Sequence, residues 1–256
     1  MIPRYEVKYF VPDALLPRIR ELIIPYTTLD PYVEYKDTHQ YTVRSIYFDT
    51  PNFDFYFDKL EGVGRRKKVR MRVYHDNTDE NVAFLEVKEK MDVPLLKFRV
   101  PFKAINTLNL FKSLDSESYL LKNLPGFENV AENSRKFFYH LHSESLKPVI
   151  LVVYDREPYN CKFDNRTRVT FDKNLRSHSY PMLHDIYNEE SVLPVLEGKF
   201  ILEVKFDYLY PFWLKQIIRK FDLRAEAVSK YLMCIDKHKL TDNYRKYSTI
   251  AYSHFY

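Results

Sequence analysis

Arg65-Arg66-Lys67-Lys68-Val69-Arg70-Met71-Arg72-Val73-Tyr74 begins as a basic run and turns midway into a strand with two different faces. Side chains alternate across a strand, so Arg70 and Arg72 share one face while Val69, Met71 and Val73 share the other. The same offset recurs outward along the chain at Glu6/Lys8, Glu86/Lys88, Lys97/Arg99, Arg166/Arg168 and Glu203/Lys205, with apolar residues such as Val7, Val87, Phe98 and Val204 between the charges. Any one of these pairs fits a half-buried sheet that shows water its charged side. The set asks for more, because its members are mostly Lys and Arg and because several amphipathic helices need an apolar surface to cover. If those helices cover the apolar side of the strands, the charges face inward. The expected class is therefore α+β: a closed antiparallel β-barrel tunnel of about eight strands with surrounding helices. A lumen lined with cations holds an anion.

Composition sets bounds on this reading. The 256 residues are 45% apolar and 16% aromatic, with 22 Tyr and 19 Phe, ample for a core and unlike a disordered chain. No repeat of fixed period, low-complexity tract or Pro/Gly/Ser linker marks a boundary, so a single domain over residues 1–256 is expected. Only four glycines occur, and Gly62 and Gly64 are not followed by the Gly or Gly-Lys of a phosphate-cradling loop. Any phosphate binding must use side chains. The net charge of +5 is too modest to indicate a nucleic acid or membrane partner by itself. Cys161 and Cys234 are too few and too far apart for a zinc site or a disulfide framework, which suits a reducing compartment. Met1 to Lys8 carries charge where a signal peptide places its apolar region, and the longest apolar run, Val149 to Tyr154, falls far short of a membrane span. The expectation is a cytoplasmic protein without a membrane span.

Arg4 to Phe10 alternates as a strand up to Pro12, and Asp13 can then cap a helix carrying Leu15, Leu16, Ile19, Leu22 and Ile23. Tyr41 to Asp49 is a second strand, with Thr50-Pro51 opening a short helix through Phe53, Tyr56, Phe57 and Leu60. After the basic strand, a turn over Asp76 to Asn81 predicts that Ala83 to Lys90 pairs back antiparallel, followed by Leu96 to Phe102 after Pro94. Residues 104–142 read as a helical insertion. Pro148 to Pro158, Asn165 to Asp172 and Lys199 to Asp207 are further strands, and helices are expected over Tyr208 to Phe221 and Ala225 to Ile235. The aromatic, basic tail after Lys239 shows no period.

Taken in order, Arg4-x-Glu6-x-Lys8, Ser45-Ile46-Tyr47-Phe48-Asp49, Arg70-x-Arg72-x-Tyr74, Glu86-x-Lys88, Lys97-x-Arg99, Tyr154-x-Arg156, Arg166-x-Arg168, Leu202-Glu203-Val204-Lys205 and Ser229-Lys230-Tyr231 form a series that resembles the VTC domain. That is the polyphosphate polymerase domain of the vacuolar transporter chaperone complex, within the CYTH-like triphosphate tunnel metalloenzyme superfamily. The resemblance spans Arg4 to Tyr231; no single dipeptide is specific, but the ordered set is. It implies a β-tunnel that binds ATP and passes its terminal phosphate to a growing inorganic polyphosphate chain. Carried over position by position, Lys8, Arg70, Arg72, Lys88, Lys97, Arg156 and Arg168 resemble the catalytic phosphate-binding lining. Tyr154, Lys205, Ser229 and Lys230 resemble substrate-binding positions, and Glu203 the metal-binding glutamate. An inositol phosphate is implied as a candidate regulator.

The residue types fit that chemistry. Phosphoryl transfer needs the terminal phosphate held in line with its acceptor and its developing charge neutralised, with little covalent work for the protein. Arg forks bind phosphate oxygens in pairs and Lys acts as a point charge, so a mixture fixes a chain of phosphates at several points. A phosphate acceptor is already anionic and needs no general base, whereas water benefits from one. Hydrolytic tunnel enzymes carry Glu-x-Glu-x-Lys on the first strand; here it is Arg4-x-Glu6-x-Lys8, and the last strand offers Glu203 followed by Lys205. Fewer carboxylates mean less metal capacity, so a single Mn2+ or Mg2+ is expected, held by substrate phosphates and Glu203. Glu6 and Glu86 are expected to pair with neighbouring cations. The alternatives are a metal-dependent tripolyphosphatase or nucleoside triphosphatase, and a non-catalytic module that binds polyphosphate or inositol phosphate. His140 and His142 lack a further ligand set, Ser229 lacks the His and Asp of a nucleophile, and the aromatics fall on core faces and not on a nucleic-acid surface.

Overall fold

The computed structural model describes residues 4–74, 81–91, 95–164 and 166–244. The turn expected from Asp76, Pro94, Asn165 at the head of an expected strand, and the tail from Arg245 lie outside the described residues. The chain runs β1 (Arg4–Pro12), α1 (Leu16–Ile23), β2 (Thr27–Leu29), α2 (Pro31–Glu34), β3 (Tyr41–Asp49), α3 (Asp54–Leu60), β4 (Arg65–Tyr74), β5 (Val82–Met91), β6 (Leu95–Lys103), α4 (Thr107–Lys112), α5 (Val130–Ser143), β7 (Lys147–Cys161), β8 (Arg168–Ser179), β9 (Leu193–Pro194), β10 (Lys199–Asp207), α6 (Phe212–Lys220) and α7 (Lys230–Lys237). Helices and one large sheet are thus mixed, and strand pairing follows the path β1-β10-β8-β7-β3-β4-β5-β6. Two compact units form, one of Met1–Val43, Val153–Arg176 and Pro194–Ser229, the other of Arg44–Val152, Ser177–Leu193 and Lys230–Tyr256.

In the first unit β1 pairs antiparallel with β10, and β10 with β8. The register sets Glu6 opposite Lys205, Lys8 opposite Glu203, Glu203 opposite Thr170 and Lys205 opposite Arg168. Period two therefore gathers Glu6, Lys8, Glu203, Lys205, Arg168, Thr170 and Asp172 on one face. The other face carries Tyr9, Val11, Val169, Phe171, Phe200, Leu202 and Val204, packed with Ile19 and Ile23 of α1 and Leu214, Ile217 and Ile218 of α6. Each such side chain contributes about 2 kcal/mol by leaving water. The helices do cover the apolar side, as the alternation of charges predicts.

In the second unit β4, β5 and β6 form an antiparallel meander. Val69, Met71, Val73, Ala83, Leu85, Val87, Val100 and Phe102 are buried on one side of it. Helix α5 packs on β5 and β6, burying Val130, Ser134 and Phe137. The opposite side holds the charges.

The expected closure of the barrel is not found: among the described residues the strand path ends at β1 and at β6. Both outer edges already have partners. Tyr9 bridges Ala225 and the Glu226 N–H donates to the Lys8 carbonyl at 2.9 Å; Phe102 bridges Leu120 and the Leu121 N–H donates to the Pro101 carbonyl at 2.9 Å. Edge groups satisfied by a loop are not offered to another strand. The pairing at Ala225 also corrects the helix expected from there, which begins at Lys230. Likewise Asp13 caps no α-helix but opens a short 3-10 turn before α1. Thr50-Pro51 forms a turn, and α3 begins at Asp54, whose N–H donates to Thr50 Oγ1 at 3.0 Å. Tyr208 takes a left-handed φ of 55°, so α6 starts only at Phe212. No helix among the described residues is long and apolar enough to cross a membrane.

Candidate functional site

Each unit carries a charged cluster, and the site residues expected from the sequence divide between them. Lys8, Tyr154, Arg156, Arg168, Glu203, Lys205 and Ser229 belong to the first unit; Arg70, Arg72, Lys88, Lys97 and Lys230 belong to the second.

In the first unit Glu203 is 4% exposed and meets three cations. Its Oε1 lies 2.8 Å from Lys205 Nζ and 3.7 Å from Arg156 Nη2, and its Oε2 lies 3.6 Å from Lys8 Nζ. Glu6 shares two of them, at 2.8 Å from Lys8 and 3.4 Å from Lys205. Lys8 also donates to the Val228 carbonyl at 3.2 Å, next to Ser229, whose buried Oγ has no hydrogen-bond partner among the described residues. Arg156 forks onto Asp172 at 2.7 and 2.8 Å, with its guanidinium 5.3 Å from the ring centre of Tyr154. Arg168 pairs instead with Asp30 at 2.9 Å. Burial alone would lower the Lys8 ammonium, but Glu6 and Glu203 outweigh it and hold the pKa up. Burial and Glu203 push the Glu6 carboxyl up, and Lys8 and Lys205 win, holding it down.

The second unit is built from two cross-strand rows. Arg70 faces Glu86, which faces Arg99; one step along, Lys68 faces Lys88, which faces Lys97. Like charges directly opposite one another are unfavourable. Glu86, 4% exposed, is the acid that offsets them: Arg70 Nε donates to it at 2.6 Å, Arg99 Nε lies at 3.0 Å and Arg72 Nε at 4.0 Å. Burial would raise the Glu86 carboxyl, yet Arg70, Arg72, Arg99 and Lys97 hold it far below the carboxylate range. Arg72 donates to Ser45 Oγ at 2.9 Å, Arg70 to Tyr47 Oη at 2.9 Å and Arg99 to Tyr74 Oη at 3.1 Å. Burial, with Arg99 nearby, outweighs Glu86 and lowers the Lys97 ammonium. Lys230 opens α7, and Tyr231 beside it stacks on Tyr47 with ring centres 5.1 Å apart.

Several partners were not expected from the sequence. Asp172 follows Arg168 and Thr170 at the same-face spacing, a signal that was available. Asp30 lies in a loop and could not be assigned by period. Tyr47 and Asp49 sit inside a recognised motif without a role given to them. His140 lies 2.8 Å from Glu89 and 2.7 Å from Glu144.

No group of three or more His, Cys, Asp or Glu among the described residues forms a metal cage. Glu203 and Glu6 still supply hard carboxylate oxygens of the kind that hold Mg2+ or Mn2+ together with substrate phosphates.

Residues 3–239 match the family model of the VTC domain. The chain belongs to the VTC domain family. This VTC domain is 26% identical over 188 residues to vacuolar transporter chaperone complex subunit 4 of Schizosaccharomyces pombe, covering 67% of this chain and 26% of that protein. It is 26% identical over 201 residues to subunit 4 of Trypanosoma brucei brucei, covering 68% of this chain and 25% of that protein. It is 26% identical over 148 residues to subunit 2 of Saccharomyces cerevisiae, covering 52% of this chain and 18% of that protein. The matched part thus spans about a quarter of these relatives, or less. Among solved structures, the PH1819 protein from Pyrococcus horikoshii OT3 aligns over 92% of the chain and 99% of its own length, at 18% identity and a TM-score of 0.48.

Proposed function

We propose that this VTC domain is an ATP-dependent polyphosphate polymerase, transferring the γ-phosphate of ATP onto a growing inorganic polyphosphate chain, in the cytoplasm and with Mn2+ or Mg2+. The observation that carries this reading is the second unit's charged face, where Arg70, Arg72, Lys88, Lys97 and Arg99 surround one acid, Glu86. An excess of cations on one face of the meander, with Arg70, Arg72 and Arg99 buried or half-buried and Lys88 and Lys97 exposed, favours a polyanion, and family membership makes polyphosphate the first candidate. Arg70, Arg72 and Arg99 bind phosphate oxygens and neutralise charge that develops on them, while Lys88 and Lys97 act as point charges along the chain. In the first unit, Lys8, Arg156, Arg168 and Lys205 are proposed phosphate ligands, Tyr154 packs against Arg156, and Ser229 offers a buried hydroxyl without a partner among the described residues. Lys230 is a further proposed substrate contact.

Glu203, with Glu6, would hold the divalent cation, which when bound neutralises phosphate charge. Without the cation, these two carboxylates repel an incoming phosphate and engage Lys8 and Lys205 themselves. An anionic phosphate acceptor needs no general base, so none is assigned among these residues, whereas attack by water would benefit from one.

The test is incubation of the purified protein with ATP and Mn2+, following ADP, free phosphate and long polyphosphate in parallel. ADP with polyphosphate and little free phosphate is the expected result. Stoichiometric free phosphate would mean that water is the acceptor and the protein a triphosphatase. No turnover with salt-sensitive polyphosphate binding would leave a binding module.

A further inference from the structure

Tyr47 lies in β3 with 6% of its surface exposed, and its hydroxyl accepts from Arg70 Nη1 at 2.9 Å. The opposite edge of the same guanidinium is held by Glu86 Oε2 at 2.6 Å. The Tyr47 ring is itself fixed. It stacks on Tyr231 at an interplanar angle of 27°, and the Tyr231 hydroxyl donates to Asp49 Oδ2. Asp49 is fully buried and also accepts the backbone N–H groups of Thr50 at 2.7 Å, Phe55 at 3.0 Å and Tyr56 at 3.0 Å. An unbroken series of contacts therefore runs from the start of α3 through Asp49, Tyr231 and Tyr47 to Arg70. We propose that Tyr47 is a positioning residue for Arg70, and that its hydroxyl proton decides whether Arg70 is available to an incoming phosphate.

With the proton on, Tyr47 Oη is a neutral acceptor that Arg70 can share with a phosphate. With the proton off, it is an anion that competes for the same guanidinium. The groups facing Tyr47 are Arg70, Lys68 and Arg72 from β4 and Tyr231 from α7. Burial opposes ionisation, but Arg70, Lys68 and Arg72 outweigh it and bring the Tyr47 hydroxyl down to about 7. Linkage is reciprocal: if losing the proton weakens anion binding, a bound anion must tighten the proton. Anion affinity is then highest below about pH 7 and falls above it.

That Arg70 takes phosphate rests on the proposed function; the coupling of Tyr47 to Arg70 does not, and two measurements separate them. The first is calorimetric titration of the full chain with tripolyphosphate from about pH 6 to about pH 9. Relative to Tyr47→Phe, the wild type is expected to lose about tenfold in affinity across that range, which corresponds to one unit of coupled proton affinity. Tyr231→Phe is expected to keep the alkaline loss but bind more weakly at every pH, because the ring loses its anchor. Parallel profiles for wild type and Tyr47→Phe would overturn the proposal. The second measurement needs no anion. Tyrosinate absorbance should show a step near neutral pH that is missing in Tyr47→Phe and moved upward in Arg70→Ala. A step unmoved by Arg70→Ala also overturns it. A step that moves as expected in a protein that binds no tripolyphosphate would sink the proposed function and leave the Tyr47–Arg70 coupling standing.

Discussion

On the charged face of the first unit acids and bases alternate: Glu6, Glu203 and Asp172 sit among Lys8, Lys205 and Arg156, and each of these cations has at least one carboxylate within 3 Å. On the charged face of the second unit Glu86 is shared by Arg70, Arg72 and Arg99, with Lys97 close enough to act on it. Both faces arise from the same two-residue alternation, and both back onto a core closed by helices. Their ligand chemistry differs. A phosphate entering the second face meets cations in excess, while one entering the first must displace Glu6 and Glu203 or arrive with a divalent cation that occupies them. On the proposed function, bare phosphate binding would fall to the second cluster and metal-assisted binding to the first.

The sharpest break of that comparison is loss of a cation from the second face. Arg72→Ala or Lys88→Ala should lower turnover by about a thousandfold, on the order of 4 kcal/mol of transition-state stabilisation. Stability should hold for Lys88→Ala, since removing a like charge relieves repulsion along the Lys68–Lys88–Lys97 row, while Arg72→Ala also takes the donor from Ser45 Oγ and should cost about 1 kcal/mol. Steady-state ADP release beside thermal melting separates the two effects. A variant that fails to fold would make these positions structural.

Next in size is the acid. Glu86→Gln leaves several partly buried cations with a neutral partner and should destabilise the protein by about 3 kcal/mol in urea unfolding. Glu6→Gln, at a carboxylate one-third exposed, should cost less than about 1 kcal/mol. Equal losses would mean that the two faces are not balanced differently after all.

Two buried carboxylates carry the comparison into pH. Burial raises Glu157 in the first unit, but Arg20, Lys173 and Tyr159 outweigh it and hold it at about 2. Its depressed folded pKa means that its stabilisation is present above the unfolded value and is lost as pH falls toward about 2. Asp49 in the second unit runs the other way: burial lifts it to about 6 against the pull of Tyr231 and three backbone N–H groups. A raised folded pKa contributes stability below the unfolded value that disappears as pH rises through about 6. The loss is at most about 3 kcal/mol, and Asp49→Asn should flatten it. Unfolding free energies between about pH 4 and about pH 7 check this; an Asn variant with the wild-type slope would remove Asp49 as the cause.

Much of this was legible because period two is local. Arg70, Arg72, Glu203 and Lys205 declare their face without knowledge of their neighbours, and Ile19, Ile23, Leu214 and Ile217 declare the helical cover. Register is not local. That Lys68, Lys88 and Lys97 would line up in one row depends on how three strands pair, which no single strand records. Closure failed as an expectation for a similar reason: the segments at Leu120 and Ala225 that occupy the outer edges of β6 and β1 show no alternation. Val228, Tyr231 and Ile235 have helical spacing, which made residues 225–229 look like the start of α7. The partners of site residues were hardest to read. Asp30 meets Arg168 from a loop, and Asp49 is explained only by the backbone N–H groups of α3, which carry no sequence signature.

The smallest expected effect tests the metal side of the comparison. Glu203→Gln retains shape and an oxygen acceptor but removes one negative charge. In the apo protein its three cations keep other carboxylates: Lys8 and Lys205 have Glu6, and Arg156 has Asp172. Urea unfolding without metal should therefore change little, unlike Glu86→Gln. Metal binding has no such reserve, because Glu6 alone would remain to meet the cation beside the substrate phosphates. The Mn2+ concentration giving half-maximal ADP release should rise about tenfold, or about 1.4 kcal/mol. Polyphosphate binding measured without metal should tighten slightly, since Lys205 and Lys8 lose a competitor. A wild-type metal titration combined with weaker metal-free binding would reverse the assignment, making Glu203 a structural counter-ion and leaving the second face to bind phosphate alone.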